Sequence, residues 1–185
     1  ILWAFFIEVI YNGTPPSGGG PLGNGGMNND SSPSWGNQVT WSLSEPFAAY
    51  EWFPCKQSLT DKIDSVYTFI TTAEENMVGS NGLLTAVADA GPGKKRYEWK
   101  TNYPIDYYLI SIAVAKYVDY TVYAEPDGAA EPIMIQNFIY DNPDCLPYFE
   151  DDINETVDFI ELYSELFGLY PFANEKYGHC MAPLS

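Results

Sequence analysis

Between residues 37 and 140 the chain is a succession of short β-forming runs parted by turn residues at roughly ten-residue spacing, a rhythm that limits it to an antiparallel β architecture. "NQVTWSL" (37–43), "DSVYTFITT" (64–72), "RYEWKT" (96–101), "DYTVYAE" (119–125) and "EPIMIQNFIY" (131–140) are rich in residues that fit a pleated, half-buried surface. "NMVGSNGLLTAVAD" (76–89) reads as two strands around the turn signal "SNG", and "GPGKK" (91–95) as a hairpin turn. "DYYLISIAVAKY" (106–117) reads as one further strand. Upstream, "LWAFFIEVIY" (2–11) has the same chemistry and is expected to be a strand, while 12–34, almost all Gly, Pro, Asn and Ser, is expected to be a long surface loop. The stretch 44–62 holds two prolines, which argues against a regular helix or a central strand there.

The rhythm changes near Asn142. Ile153, Val157, Ile160, Tyr163 and Phe167 recur at spacings of three and four, the signature of one amphipathic helix, with Gly168 as its stop. "YPF" (170–172) then breaks the chain, and "KYGHCMAPL" (176–184) reads as one more strand. The expected fold is therefore mainly β: an antiparallel sandwich or saddle-like domain over 1–140, then a helix and edge strand over 141–185. Both ends read as cuts through a longer protein.

Composition supports a folded core. Apolar residues make up 46% and aromatics 16%, far more than disordered chains carry. The net charge of −17, with 8 Lys and Arg, argues against nucleic acid and anionic membrane surfaces; it permits attraction of cationic groups such as amines, and equally serves to keep the protein in solution. No run is long enough for a membrane span. Cys55, Cys145 and Cys180 form no CxxC pair; a Cys145–Cys180 bridge is one option that sequence leaves open.

Several chemistries are disfavoured by what the sequence lacks. His179 is the single histidine and there is no HExxH, so this chain alone does not make a hydrolytic zinc site. No G-x-S-x-G elbow accompanies it. "SGGGPLGNGG" (17–26) lacks the Lys-Ser/Thr of a phosphate loop, and "EDD" (150–152) lacks the spacing of a calcium loop. Glu45 differs from the other acids. It follows the strand-like "VTWSL", Pro46 restricts it to an extended conformation, and Trp41, Phe47, Trp52 and Phe53 surround it with apolar bulk. A carboxylate in such a setting must be paired or must await a cation.

"SEPFAAYEWFPCKQSLTDKIDS" (44–65), then "SNGLL", then "YPIDYYLISIAVAKY", resembles the N-terminal domain of the M1 zinc aminopeptidases in their bacterial branch. "ELFGLYPFANEKYGHCMAPLS" (165–185) resembles that family's passage into its thermolysin-like α/β catalytic domain, ahead of the Gly-x-Met-Glu and HExxH motifs. The resemblance covers residues 37–185. It implies a parent that removes N-terminal residues from peptides, with zinc bound outside this chain, and peptides with a free N-terminus as partners. Counting back from "FPC" (53–55), it places Glu45 where the family binds the substrate's α-amino group, with Leu43 and Ser44 beside it. Leu43, Tyr50 and Gln57 stand where many members have Gln, Arg and Asp. The chain alone is expected to bind no zinc and cleave no aminoacyl reporter; the parent is expected to be exported from a bacterium. The rival reading is a non-catalytic β-sandwich binding or scaffold module.

Overall fold

The computed structural model describes residues 6–16 and 25–183, and places ten strands of these in three sheets. The first sheet joins β1 (Met27–Ser31), β2 (Gln38–Ser42), β4 (Met77–Ser80) and β7 (Ile112–Ala115) in the order β1-β2-β7-β4, all antiparallel. The second joins β3 (Val66–Ala73), β5 (Leu83–Asp89) and β6 (Lys94–Thr101) in the order β3-β6-β5, also antiparallel. The third joins β8 (Tyr117–Ala124), β9 (Ile133–Tyr140) and β10 (Tyr177–Cys180) in the order β10-β9-β8. There β8 and β9 are antiparallel, but β9 and β10 are parallel. A parallel pair needs a crossover, and the helix α2 (Cys145–Phe167) supplies it.

Alternation sets the layers. In β6, Tyr97, Trp99 and Thr101 point inward and are buried, while Lys94 and Arg96 face out. On the outer face of the same sheet Tyr67 stacks on Phe69 at 6.4 Å, with the Lys100 ammonium 4.8 Å over the Tyr67 ring and the Arg96 guanidinium 5.8 Å over Phe69. The cations cover apolar rings that would otherwise face water. The main core unites all three sheets: Val39, Trp41 and Val78 meet Tyr97 and Trp99, then Tyr117, Phe138 and Ile139, with Cys145 and Ile153 of α2 closing it. Gly79 lets the layers touch, since a Cβ there would lie 2.2 Å from the Cys180 sulfur. The three cysteines are free, and Cys145 contacts Met181 rather than Cys180.

The mainly β, antiparallel fold agrees with the sequence reading, and five local expectations are corrected. Residues 6–11 form no strand and lie exposed; 2–5 fall outside the described residues. β1 lies inside the expected loop, of which 17–24 are not described. Its polar residues pair through backbone and side chains, with Thr40 Oγ1 donating to Asn29 Oδ1 at 3.0 Å. The stretch 44–62 does contain a helical turn, α1 (Glu45–Ala48), because Pro46 sits in the first turn, where its missing N–H has no role. The run 106–117 divides into a 3₁₀ turn (Tyr107–Leu109), β7 and the start of β8. In α2 the buried line is Cys145, Ile153, Thr156, Ile160 and Ser164. Tyr163 and Phe167 stay 55% and 81% exposed, because small Thr156 and Ser164 let the helix approach the sheet on their side.

Candidate functional site

Glu45 opens α1, at the end of the strand β2. Among the described residues it is the one non-glycine with a positive φ, at 43°. The extended conformation that Pro46 favours is therefore overridden. A left-handed residue ahead of proline costs on the order of 1–3 kcal/mol and persists only where surrounding contacts hold it. Those contacts flank it on both sides. Ser44 is 4% exposed; its hydroxyl accepts from Trp52 Nε1 at 2.8 Å, and its carbonyl accepts from the Ala48 N–H at 2.8 Å. The Pro46 carbonyl accepts from the hydroxyl of Tyr107, which is 2% exposed. Gly26 closes the back of α1: its N–H donates to Glu51 Oε2 at 2.6 Å, and its carbonyl accepts from the Leu43 N–H at 3.1 Å. Only glycine fits there, since a Cβ would lie 2.0 Å from the Ala48 carbonyl oxygen.

Glu45 is half-buried, and among the described residues its carboxylate has no hydrogen bond or ion pair. Of its expected neighbours, Leu43 packs against the core and lines the adjoining cleft, while the Ser44 hydroxyl is taken by Trp52. Tyr50 and Gln57 are exposed.

The cleft beside Leu43 has a volume of about 600 Å³ and lies where the first and third sheets meet the loop 101–111. Its polar wall comes from the segment before and within β10. Lys176 donates to the Ser80 carbonyl at 2.9 Å and to Gln136 Oε1 at 3.4 Å, and stands 3.9 Å from the centre of the Trp99 ring. Burial holds its pKa down to about 8, against the opposite pull of Cys180, Asp119 and Glu175. Glu175 accepts from Thr101 Oγ1 at 2.9 Å and from the Asn102 N–H at 2.6 Å, tying this segment to β6. His179 Nδ1 lies 2.7 Å from Asn137 Oδ1, and its ring meets Tyr177 edge-on at 5.1 Å. Burial lowers the His179 pKa. The sequence reading did not single out Lys176; nothing in "NEKYG" signals that its amine will reach a tryptophan 77 positions earlier.

A second hollow of about 800 Å³ runs along the open side of α2, lined by Phe159, Tyr163, Phe167, Tyr170, Tyr177 and Met181 among others. Phe159, Tyr163 and Phe167 follow one another at 6.2 and 6.0 Å, an apolar ladder. Among the described residues no group of three His, Cys, Asp or Glu side chains is placed to hold a metal. No helix among the described residues is long and apolar enough to cross a membrane.

No protein-family profile and no curated protein matches the chain. Solved structures do. A variant of a two-domain M1 zinc metallopeptidase, bound to L-arginine, aligns with a TM-score of 0.73 at 22% identity over 94% of this chain and 37% of that one. The M1 zinc metallopeptidase of Deinococcus radiodurans aligns with a TM-score of 0.72 at 21% identity over the same shares. A variant from Deinococcus radiodurans bound to a Tyr-Ser-Ala substrate gives 0.72 at 20% identity, again over 94% and 37%. The chain thus spans well under half the length of these structures. At such identity the likeness is one of fold: this chain is mostly β, built of antiparallel sheets like the N-terminal domain of M1 zinc metallopeptidases.

Proposed function

We propose that this chain is the N-terminal β domain and the start of the catalytic domain of a zinc-dependent aminopeptidase that removes N-terminal residues from peptides. The observation that carries the reading is Glu45, a half-buried residue with a carboxylate unpaired among the described residues, held in a costly backbone conformation two positions from Leu43, which lines the cleft. Strained backbone of this kind clusters at ligand clamps. In the proposal Glu45 binds the substrate's α-ammonium, Leu43 lines the approach, and Ser44 fixes the backbone under Glu45. A fixed carboxylate measures the distance from the free N-terminus to the first peptide bond by charge-assisted hydrogen bonding. The fold likeness to M1 zinc metallopeptidases supports the class of enzyme. The zinc would be bound by residues outside this chain, and no step of the chemistry is assigned to residues within it.

The division between the two domains is best drawn at the turn between β7 and β8, around Lys116. The third sheet and α2 then belong together as the first part of the catalytic unit. In this reading the open face of α2, with its Phe159, Tyr163 and Phe167 ladder, packs on the remainder of that unit. An apolar face of this kind on a folded chain marks a contact surface.

The test uses the full-length product of the encoding gene. It is expected to carry zinc and to release the N-terminal residue from free-amine peptides while leaving N-acetylated ones nearly untouched. A charge-assisted contact is worth roughly 1.5–3 kcal/mol, so Glu45→Ala should lower kcat/KM on free-amine peptides about 10- to 150-fold. Glu45→Gln should lower it less, since its amide oxygen still accepts. Full activity in Glu45→Ala would remove the anchoring role. A full-length product without zinc or peptidase activity would favour a non-catalytic binding or scaffold module.

A further inference from the structure

We infer that Tyr107 and Trp52 are positioning residues that hold the Glu45 backbone in its left-handed conformation and so aim its carboxylate. The aim matters only if Glu45 is the ammonium anchor, so the inference rests on the reading above. Three observations carry it. First, Glu45 is the one non-glycine among the described residues at positive φ, and it stands before a proline, where that conformation is least favourable. Second, each of the two neighbouring residues accepts from an aromatic side-chain donor, one from just beyond α1 and one from 61 positions away. Trp52 Nε1 donates to the Ser44 hydroxyl at 2.8 Å, and the Tyr107 hydroxyl donates to the Pro46 carbonyl. Third, one donor and one acceptor of these two contacts are anchored in the interior. Tyr107 is wholly buried in the 3₁₀ turn Tyr107–Leu109, and Ser44 is wholly buried at the end of β2. A segment pinned on both sides of one residue has few ways to relax that residue's dihedral angles. With either pin removed, the chain can rotate Glu45 back toward the extended region, and its carboxylate moves with it.

The bland alternative is that each donor merely satisfies a buried acceptor, as most buried polar groups do. A double-mutant cycle in the 185-residue chain separates the two. Glu45→Gly removes the penalty for positive φ and should strengthen the folding equilibrium about fivefold in urea unfolding. In a Tyr107→Phe background, which keeps the ring and loses only the donor, the same change should yield less than about a twofold gain, because the strain has already relaxed. Tyr97→Phe is the control. Its hydroxyl also donates to a backbone carbonyl, that of Asn76 at 2.9 Å, but far from Glu45, so the fivefold gain should survive it. Should Tyr107→Phe not fold, Trp52→Phe takes its place in the same cycle. An equal gain from Glu45→Gly with and without the donor overturns the inference, as does the absence of any gain in the unmodified chain. A cycle without coupling leaves the ammonium anchor standing, whereas full peptidase activity in Glu45→Ala removes the anchor and leaves the cycle unchanged.

Discussion

Lys176 makes the stability of this chain depend on pH in an unusual direction. Its amine is held at about 8, against the ordinary 10.5, chiefly by burial. Between these values the folded chain has released the proton and the unfolded chain still binds it. The unfolded state then holds more protons, so stability rises with pH across the window. The gap corresponds to about 3 kcal/mol in full, of which about 2.5 kcal/mol falls between pH 7 and 10. Three other groups oppose this. The Cys180 thiol is pushed from 9.0 up to about 11, so its contribution is lost as pH rises through that range. Tyr140 and Tyr170, pushed from 10.0 up to about 12, act the same way at higher pH. The measurement is therefore urea unfolding of Cys180→Ser from pH 7 to 10, beside Cys180→Ser/Lys176→Met. The lysine-containing chain should gain about 2–3 kcal/mol relative to the methionine variant over that range. Parallel profiles would refute the argument and mean that the Trp99 ring and the Ser80 and Gln136 acceptors keep the ammonium charged.

Three further outcomes are expected. Gly79→Ala forces a Cβ to within 2.2 Å of the Cys180 sulfur and 3.0 Å of the Phe138 ring, and should cost about 1–3 kcal/mol in urea unfolding, with Cys180→Ala recovering part of the loss. Ile153→Ala, at the junction of α2 and the core, should cost about 2–4 kcal/mol, while Phe167→Ala on the open face should stay within about 0.5 kcal/mol; equal costs would contradict the assigned helix face. The folded chain should bind an anilinonaphthalene dye along α2, and Phe159→Ser with Tyr163→Ser should abolish most of the fluorescence; no binding by the unmodified chain would mean that the hollow is closed in solution.

The strands legible in the sequence are those whose side chains alternate. In β3, Tyr67, Phe69 and Thr71 face out while Val66, Thr68 and Ile70 face in, and a period of two survives in the letters. β1 was illegible because "MNNDS" carries no apolar alternation; it is an edge strand whose pairing lies in the backbone. Residues 6–11 mislead in the opposite way: β-forming composition makes a strand only when it pairs with an edge, and none of the described strands pairs with them. For α2 the period was readable but not the phase. Tyr163 and Phe167 look like core residues, yet the side facing the sheet is chosen by Thr156 and Ser164, which sequence patterns count as polar. At the candidate site, Glu45 could be singled out from its proline and its aromatic neighbours. Its left-handed backbone could not, because the Tyr107 donor that holds Pro46 comes from 61 positions away.

The central place of β7 in the first sheet has a consequence for how the chain comes to be folded as it is made. β7 sits between β2 and β4, pairing Ala115 with Val39 on one side and with Met77 on the other. Both neighbours are synthesised long before it. The hairpins β5–β6 and β8–β9 can close as soon as their turns emerge, since their partners are adjacent in the chain. β2 and β4 cannot: β2, paired only to β1, waits with one edge open, β4 waits with neither edge paired, and Val39 and Val78 stay uncovered until residue 115 has left the ribosome. A nascent chain stalled before that point exposes two unpaired apolar edges, the form in which strands find wrong partners. Chaperone demand during synthesis should accordingly peak just before β7 emerges and fall once it has inserted.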